Sequence, residues 1–270
     1  MAAESEHGGE FNAGDTIMHH LVDADYMEIP GGGKVPLPQF ELFGIDMSIS
    51  KHVVMMWLAF VILLVVLGIA RSQKGLVPTG LRNGLEALIV YLRDNVARPA
   101  IHGKDADRFM PYLLTLFFFI ITCNLIGLVP GMATATGNLS VTAALAALSL
   151  VIVQVTGLVK YGPIGHFKNL IPHGLPVFIL PLMVVLEVAT QFVRPFVLCV
   201  RLFANMMAGH AVIMAFICLI FVLQHLAVAG GALFFLVAVY FLELLVAFIQ
   251  AYIFTMLTAQ FIGMSLHPSH

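Results

Sequence analysis

Four residues charged at neutral pH stand deep in apolar sequence: Glu187, Arg194, Arg201 and Glu243. At bilayer depth each charge costs at least about 2.5–3.5 kcal/mol on insertion scales, so a working role is the default expectation. Arg201 makes the sharpest case. Three and four residues away on a helix it meets Val197, Leu198, Ala204 and Asn205, none of them acidic. Glu187 lies two heptads back on the same face, about 21 Å along a helix axis. The partner of Arg201 must come from another helix or another protein; on this chain the candidate is Glu243. Arg194 differs, because Glu187 and Arg201 sit seven residues to either side and Gln191 is one turn away. That setting suits a structural or interfacial arginine.

The second long apolar run carries Glu243 and Gln250, again seven apart on one face. Folded as an antiparallel hairpin, the two runs pair Arg201 with Gln250 and His210 with Glu243. Both pairings place the turn beside Gln224-His225, the most polar point between the runs. One hairpin therefore puts two polar pairs at matching depths. An imidazole titrates near neutral pH when unperturbed.

The elements that must position these groups are membrane helices. Residues 1–47 are polar, acidic and rich in Gly and Pro. They read as an external segment with little packed core; they lack the pattern of a signal peptide. Residues 48–270 form the membrane domain. Spans are expected at 51–71, 109–130 and 139–160, with an amphipathic surface helix at 79–98. In that helix Leu81, Leu85, Leu88, Ile89 and Leu92 keep helical spacing while Arg82, Glu86 and Arg93 interrupt, the pattern of a helix lying in the interface. Two longer runs, 176–224 and 230–266, make the hairpin. As helices they would be about 70 Å and 50 Å long, against a hydrocarbon core about 30 Å thick. Each is either broken or steeply tilted; Pro181 and Pro195 permit bends without demanding breaks.

Seven of the 13 Lys and Arg residues fall between Arg71 and Arg108, and none in Gly131–Asn138. The positive-inside rule then makes the first segment cytoplasmic and the second external. Five crossings follow, with the N-terminus outside and the C-terminus in the cytoplasm. The fold class is an all-α polytopic membrane protein.

Composition agrees. The 270 residues are 60% hydrophobic and only 10% charged, against about 25% charged in soluble domains; mean hydropathy is +0.98. A soluble enzyme and a disordered tail are excluded. A net charge of −2 leaves no basic footprint for nucleic acid. Cys123, Cys199 and Cys218 lie in apolar runs without CxxC spacing, so they read as small hydrophobes. His19-His20 lacks a third ligand, and no metal or cofactor is expected.

The segment Arg201-Leu202-Phe203-Ala204-Asn205-Met206-Met207-Ala208-Gly209-His210 resembles the signature of subunit a of the F-type ATP synthase. Gln250-Ala251-Tyr252-Ile253-Phe254-Thr255-Met256-Leu257-Thr258 resembles that family's C-terminal helix. His102-Gly103-Lys104 through Asn124 and Pro130 also fits, as does Asn138-Leu139-Ser140-Val141-Thr142. The resemblance runs from about residue 40 to the end; Ala204 stands where glycine is common.

The resemblance implies a non-catalytic, proton-translocating subunit of the bacterial inner membrane. Its partners would be the ring of c subunits and the b subunits of the peripheral stalk. Arg201 would be the essential arginine facing the ring, with Asn205 and Gln250 as polar neighbours. His210 and Glu243 would line the proton path from outside, and Glu187 would match a further acidic position near the ring. The long runs would form a nearly horizontal hairpin wrapping the ring. A guanidinium about 4 Å from a rotor carboxylate favours its ionised form by about 4 kcal/mol at an effective dielectric of 20. Arg201 would so discharge a proton into the cytoplasmic half-channel and keep the two half-channels apart.

Two other readings compete. A secondary transporter binding an anion through Arg201 would show internal repeats and helices broken at midplane. A haem-binding membrane subunit would use His210 and His225, although His225 falls at the expected turn.

Overall fold

The computed structural model describes residues 26–29, 33–36, 41–42, 45–46, 50–72, 80–103, 105–129, 132–169, 180–223 and 226–267. His19-His20 and the turn at Gln224-His225 lie outside these. Two small antiparallel hairpins come first. Strand β1 (Tyr26–Ile29) pairs with β2 (Gly33–Pro36), and β3 (Glu41–Leu42) with β4 (Ile45–Asp46). Their sequence signal is short and local: Pro30-Gly31-Gly32 is a turn-forming run inside a stretch whose composition reads as unstructured.

From Lys51 onward every regular element among the described residues is helical. Helix α1 spans Lys51–Ser72. Helix α2 runs Leu81–Leu92 and continues through a π-helical turn, Arg93–Ala97, to a last turn at Arg98–Ala100. Helix α3 is Asp105–Gly127. A 3-10 turn at Ala135–Gly137 leads into α4, Leu139–Asn169. Helices α5 (Leu180–Leu223) and α6 (Leu226–Leu266) complete the chain. Five of these, all but α2, are long and apolar enough to cross a membrane.

Local chemistry explains the boundaries. Asn138 precedes α4 and its side chain accepts from the Ser140 backbone N–H at 2.8 Å, satisfying one free donor of the first turn. Within α4, Gly162 has φ 71° and ψ 169°, a conformation only glycine adopts cheaply. Pro163 then restarts the helix. Pro195 sits inside α5, which stays continuous. At 44 and 41 residues, α5 and α6 are about 66 Å and 62 Å long. Helices of that length stay within a bilayer only when steeply tilted. Among the described residues, neither α5 nor α6 shows the midplane break expected of a transporter.

Helix α3 is the hub. Its Leu113, Leu116, Phe117, Ile120 and Cys123 are each 3% exposed or less. The main core joins Leu92, Val96 and Ile101 from the α2 end to α3, to Leu198 and Leu202 of α5 and to Ala251, Phe254 and Ile262 of α6. A second cluster joins Met55 and Ala59 of α1 to Cys123, Ile126 and Ala135. Many hydroxyl groups in the spans bond within the protein, as a lipid environment favours. Thr115, Thr122, Thr156, Thr190 and Thr255 donate to the carbonyl four residues back. Between helices, the Tyr112 and Ser149 hydroxyls bond at 2.9 Å, and Ser265 Oγ donates to the Val153 carbonyl at 2.9 Å.

The two ends of the bundle differ in chemistry. A group of ion pairs lies at the Arg71–Arg108 end: Arg93–Asp107 at 2.7 Å, Arg98–Asp94 at 2.7 Å, and Asp105 with Lys160 at 3.9 Å and His267 at 3.8 Å. The opposite end carries the loop from Met132 to Asn138, with Thr134 and Thr136 buried in it.

Candidate functional site

The α5–α6 hairpin carries all six candidate residues. Packing decides their faces. Leu198, Leu202, Met206 and Ile213 of α5 are buried and form its inward stripe. The outward stripe holds Val197, Arg201, Ala204, Ala208, Val212 and Ala215, all exposed. Arg201 thus stands in the middle of a face built of short side chains. Among the described residues it makes no hydrogen bond and no ion pair. An ion pair with Glu243, the simplest structural role for Arg201, is not formed.

Arg194 has a different setting. Its Nη1 lies 3.9 Å from Met264 Sδ, and its guanidinium carbon is 5.5 Å from the centre of the Phe261 ring. A cation over an aromatic face is attracted by the ring quadrupole. Arg194 therefore fastens α5 to α6. Near it, Gln191 is hydrogen-bonded to Gln154 of α4. Glu187, half-buried, makes no hydrogen bond or ion pair among the described residues.

Glu243 is 2% exposed, and neither carboxyl oxygen has a hydrogen-bond partner among the described residues. Its carboxyl lies against Gly209: a Cβ placed there would be 2.5 Å from Oε1 and 2.7 Å from Cδ. That contact sets Glu243 beside the residue next to His210, close to the register the hairpin spacing predicts. The two do not bond to each other. Instead His210 Nε2 is hydrogen-bonded to the Thr134 hydroxyl. Gln250 is 7% exposed and Asn205 is half-buried; neither bonds to Arg201.

Thr134 and the groups around it extend the site beyond the hairpin. The Thr134 carbonyl lies 3.0 Å from His52 Nδ1 at the start of α1. Asn124 of α3, fully buried, accepts from Thr136 Oγ1 at 2.6 Å and donates to the Ala247 carbonyl of α6 at 3.2 Å. Spacing arguments do not reach His52 and Thr134, because 82 residues of chain separate them. The available signals were a histidine at a helix start and a Thr-Ala-Thr run in a charge-free loop.

Fold and site together define a polytopic helical membrane protein with ionisable groups carried on two long apolar helices. More particularly, the chain belongs to the ATP synthase A chain family, whose model matches residues 53–263. It is 44% identical over 259 residues to ATP synthase subunit a of Chloroherpeton thalassium, covering 94% of this chain and 77% of that one. It is 45% identical over 281 residues to ATP synthase subunit a of Anaeromyxobacter dehalogenans, covering 98% and 74%. With ATP synthase subunit a of Myxococcus xanthus it shares 48% over 229 residues, covering 84% and 75%.

Proposed function

We propose that the chain is the stator subunit of an Fo sector that passes protons to and from a rotating c-ring through two offset half-channels. The observation that carries this reading is Arg201: a charged side chain on an exposed helix face, without an ionic partner among the described residues. A fixed cation in that position is available to a carboxylate that moves past it. The short side chains at Ala204 and Ala208 let a partner helix come close to it.

Protons arrive from outside by way of His210 and Glu243. Glu243, a buried carboxyl whose two oxygens have no hydrogen-bond partner among the described residues, suits a transient proton holder. A rotor carboxyl protonated there is neutral and can turn through lipid. On reaching Arg201 from the other side, it favours the ionised form and releases its proton into the cytoplasmic half-channel. Asn205 and Gln250 flank that point, and Glu187 serves the ring-side path. Each proton contributes about 2.3 kcal/mol per 100 mV of membrane potential. Arg201 blocks direct passage between the half-channels, so flux requires rotation. The subunit itself makes and breaks no covalent bonds other than those to protons. It assembles with the c-ring and with the b subunits of the peripheral stalk in the bacterial inner membrane. Its N-terminus is external and its C-terminus cytoplasmic.

Arg201→Ala tests the reading. The complex should assemble, as measured by affinity pull-down, yet lose ATP synthesis and ATP-driven pumping while vesicles gain a passive proton leak. Arg201→Lys should rescue poorly, because a compact, strongly hydrated ammonium loses its proton more readily when buried. An assembled Arg201→Ala complex that still synthesises ATP refutes the proposal.

A further inference from the structure

We propose that Asn124 is a positioning residue for Glu243: its side-chain amide fixes α6 at Ala247, one turn beyond Glu243, and so holds the carboxyl against Gly209. The inference rests on the proton-path reading above and adds a residue of α3 to it.

Asn124 is fully buried near the end of α3. Its Nδ2 donates to the Ala247 carbonyl of α6 at 3.2 Å, and its Oδ1 accepts from Thr136 Oγ1 at 2.6 Å. A carbonyl oxygen only accepts hydrogen bonds, so the nitrogen side of the amide must face Ala247. The oxygen is then left for the Thr136 hydroxyl. Turning the amide over would set two acceptors face to face, so its orientation is fixed from both ends. Thr136 is itself fully buried, in the 3-10 turn before α4. One side chain thus links the loop, α3 and α6, across 12 and 123 residues of chain.

The bond to Ala247 is lateral. Inside an α-helix each carbonyl already accepts from the N–H four residues on, and its second lone pair is free for a further donor. Asn124 uses that lone pair, so its bond sets the height and rotation of α6 rather than closing a turn. Its place on α6 gives it consequence. Glu243 is four residues before Ala247 and Gln250 three after, on one face of the helix. Ala247 and Ala251 are fully buried, but their methyl groups offer little to key a helix against rotation. The cross-helix bonds of Ser265 and Leu266 stand at the far end of α6, about 33 Å along the axis from Glu243.

Neither Glu243 oxygen has a hydrogen-bond partner among the described residues, so the carboxyl goes where the α6 backbone carries it. Opposite, Gly209 leaves only the space of its missing side chain: a Cβ there would be 2.5 Å from Oε1. A small rotation of α6 would separate the carboxyl from Gly209 and from the level of His210.

The test measures proton flux per assembled complex, in sealed vesicles of the whole complex, for Asn124→Leu alone and combined with Glu243→Gln. Leucine keeps the branched shape of asparagine and removes its hydrogen-bonding groups. Asn124→Leu should assemble and lose flux about tenfold, less than the 10²-fold that a ~1 Å misplacement can cost. With Glu243→Gln the group being positioned is already gone, so the same change should cost less than about threefold, because effects that act through one group do not add. Should Glu243→Gln leave no measurable flux, Gly209→Ala supplies the second background, with the same expectation. Asn124→Ser, smaller and too short to reach Ala247, should follow the same pattern and decides the matter if Asn124→Leu does not assemble. A loss below about threefold in an assembled single variant overturns the inference. A loss of about threefold or more in the second background also overturns it, because the damage is then general. Failure of both variants to assemble overturns it too, since Asn124 is then structural. Arg201→Ala and Glu243→Gln run in parallel. If Arg201→Ala still synthesises ATP or Glu243→Gln keeps full flux, the proton-path reading falls; if both behave as expected and the Asn124 variants do not, only the role of Asn124 falls.

Discussion

The Glu243 carboxyl lies directly on Gly209, with room for no side chain between them: a Cβ at 209 would sit 2.5 Å from Oε1 and 3.1 Å from Cγ. The glycine lets α6 bring a buried acid against α5, one residue from His210. Gly209→Ala should displace the carboxyl at a cost of about 1–3 kcal/mol, the usual range for overpacking. Proton flux should fall with assembly largely kept. Unchanged flux in vesicles from an assembled Gly209→Ala complex counts against a role for that contact.

His210 and Glu243 are expected to act in one aqueous path. Replacing either alone should slow proton flux. Exchanging them, His210→Glu with Glu243→His, should recover part of it. The comparison is flux per assembled complex; a double exchange no better than the worse single change rules out the pairing.

The two arginines of α5 should separate cleanly. Arg194 is held by Phe261 and Met264, so Arg194→Met should cost about 0.5–2 kcal/mol of cation–π attraction and leave coupled synthesis running. Thermal stability of the complex and ATP synthesis, measured on the same preparation, give the answer. Loss of synthesis in a stable Arg194→Met complex would give Arg194 the working role instead.

Orientation can be read by labelling single cysteines after replacing Cys123, Cys199 and Cys218. Ser140 is exposed at the loop end and His267 at the ion-pair end. Ser140→Cys should react with an impermeant thiol reagent from outside only, and His267→Cys from the cytoplasmic side only. The reverse pattern would invert the topology.

The sequence by itself determined the class and most of the elements. Apolar runs of about 20 residues have few alternatives to a spanning helix, because an unsatisfied backbone group in lipid costs several kcal/mol. Period-seven spacing put Glu187, Arg194 and Arg201 on one stripe, and Glu243 and Gln250 on another. Hairpin symmetry then brought His210 and Glu243 to neighbouring depths. What spacing could not decide was orientation around each helix axis, which depends on side chains from elsewhere in the chain. Only the packed structure turned Arg194 inward to Phe261 while leaving Arg201 exposed. Only the packed structure placed Thr134 between His52 and His210. That contact closes across 82 residues and three helices. No local pattern encodes such a distance; it follows from how α1, α3 and α5 pack around a loop seated on Gly127.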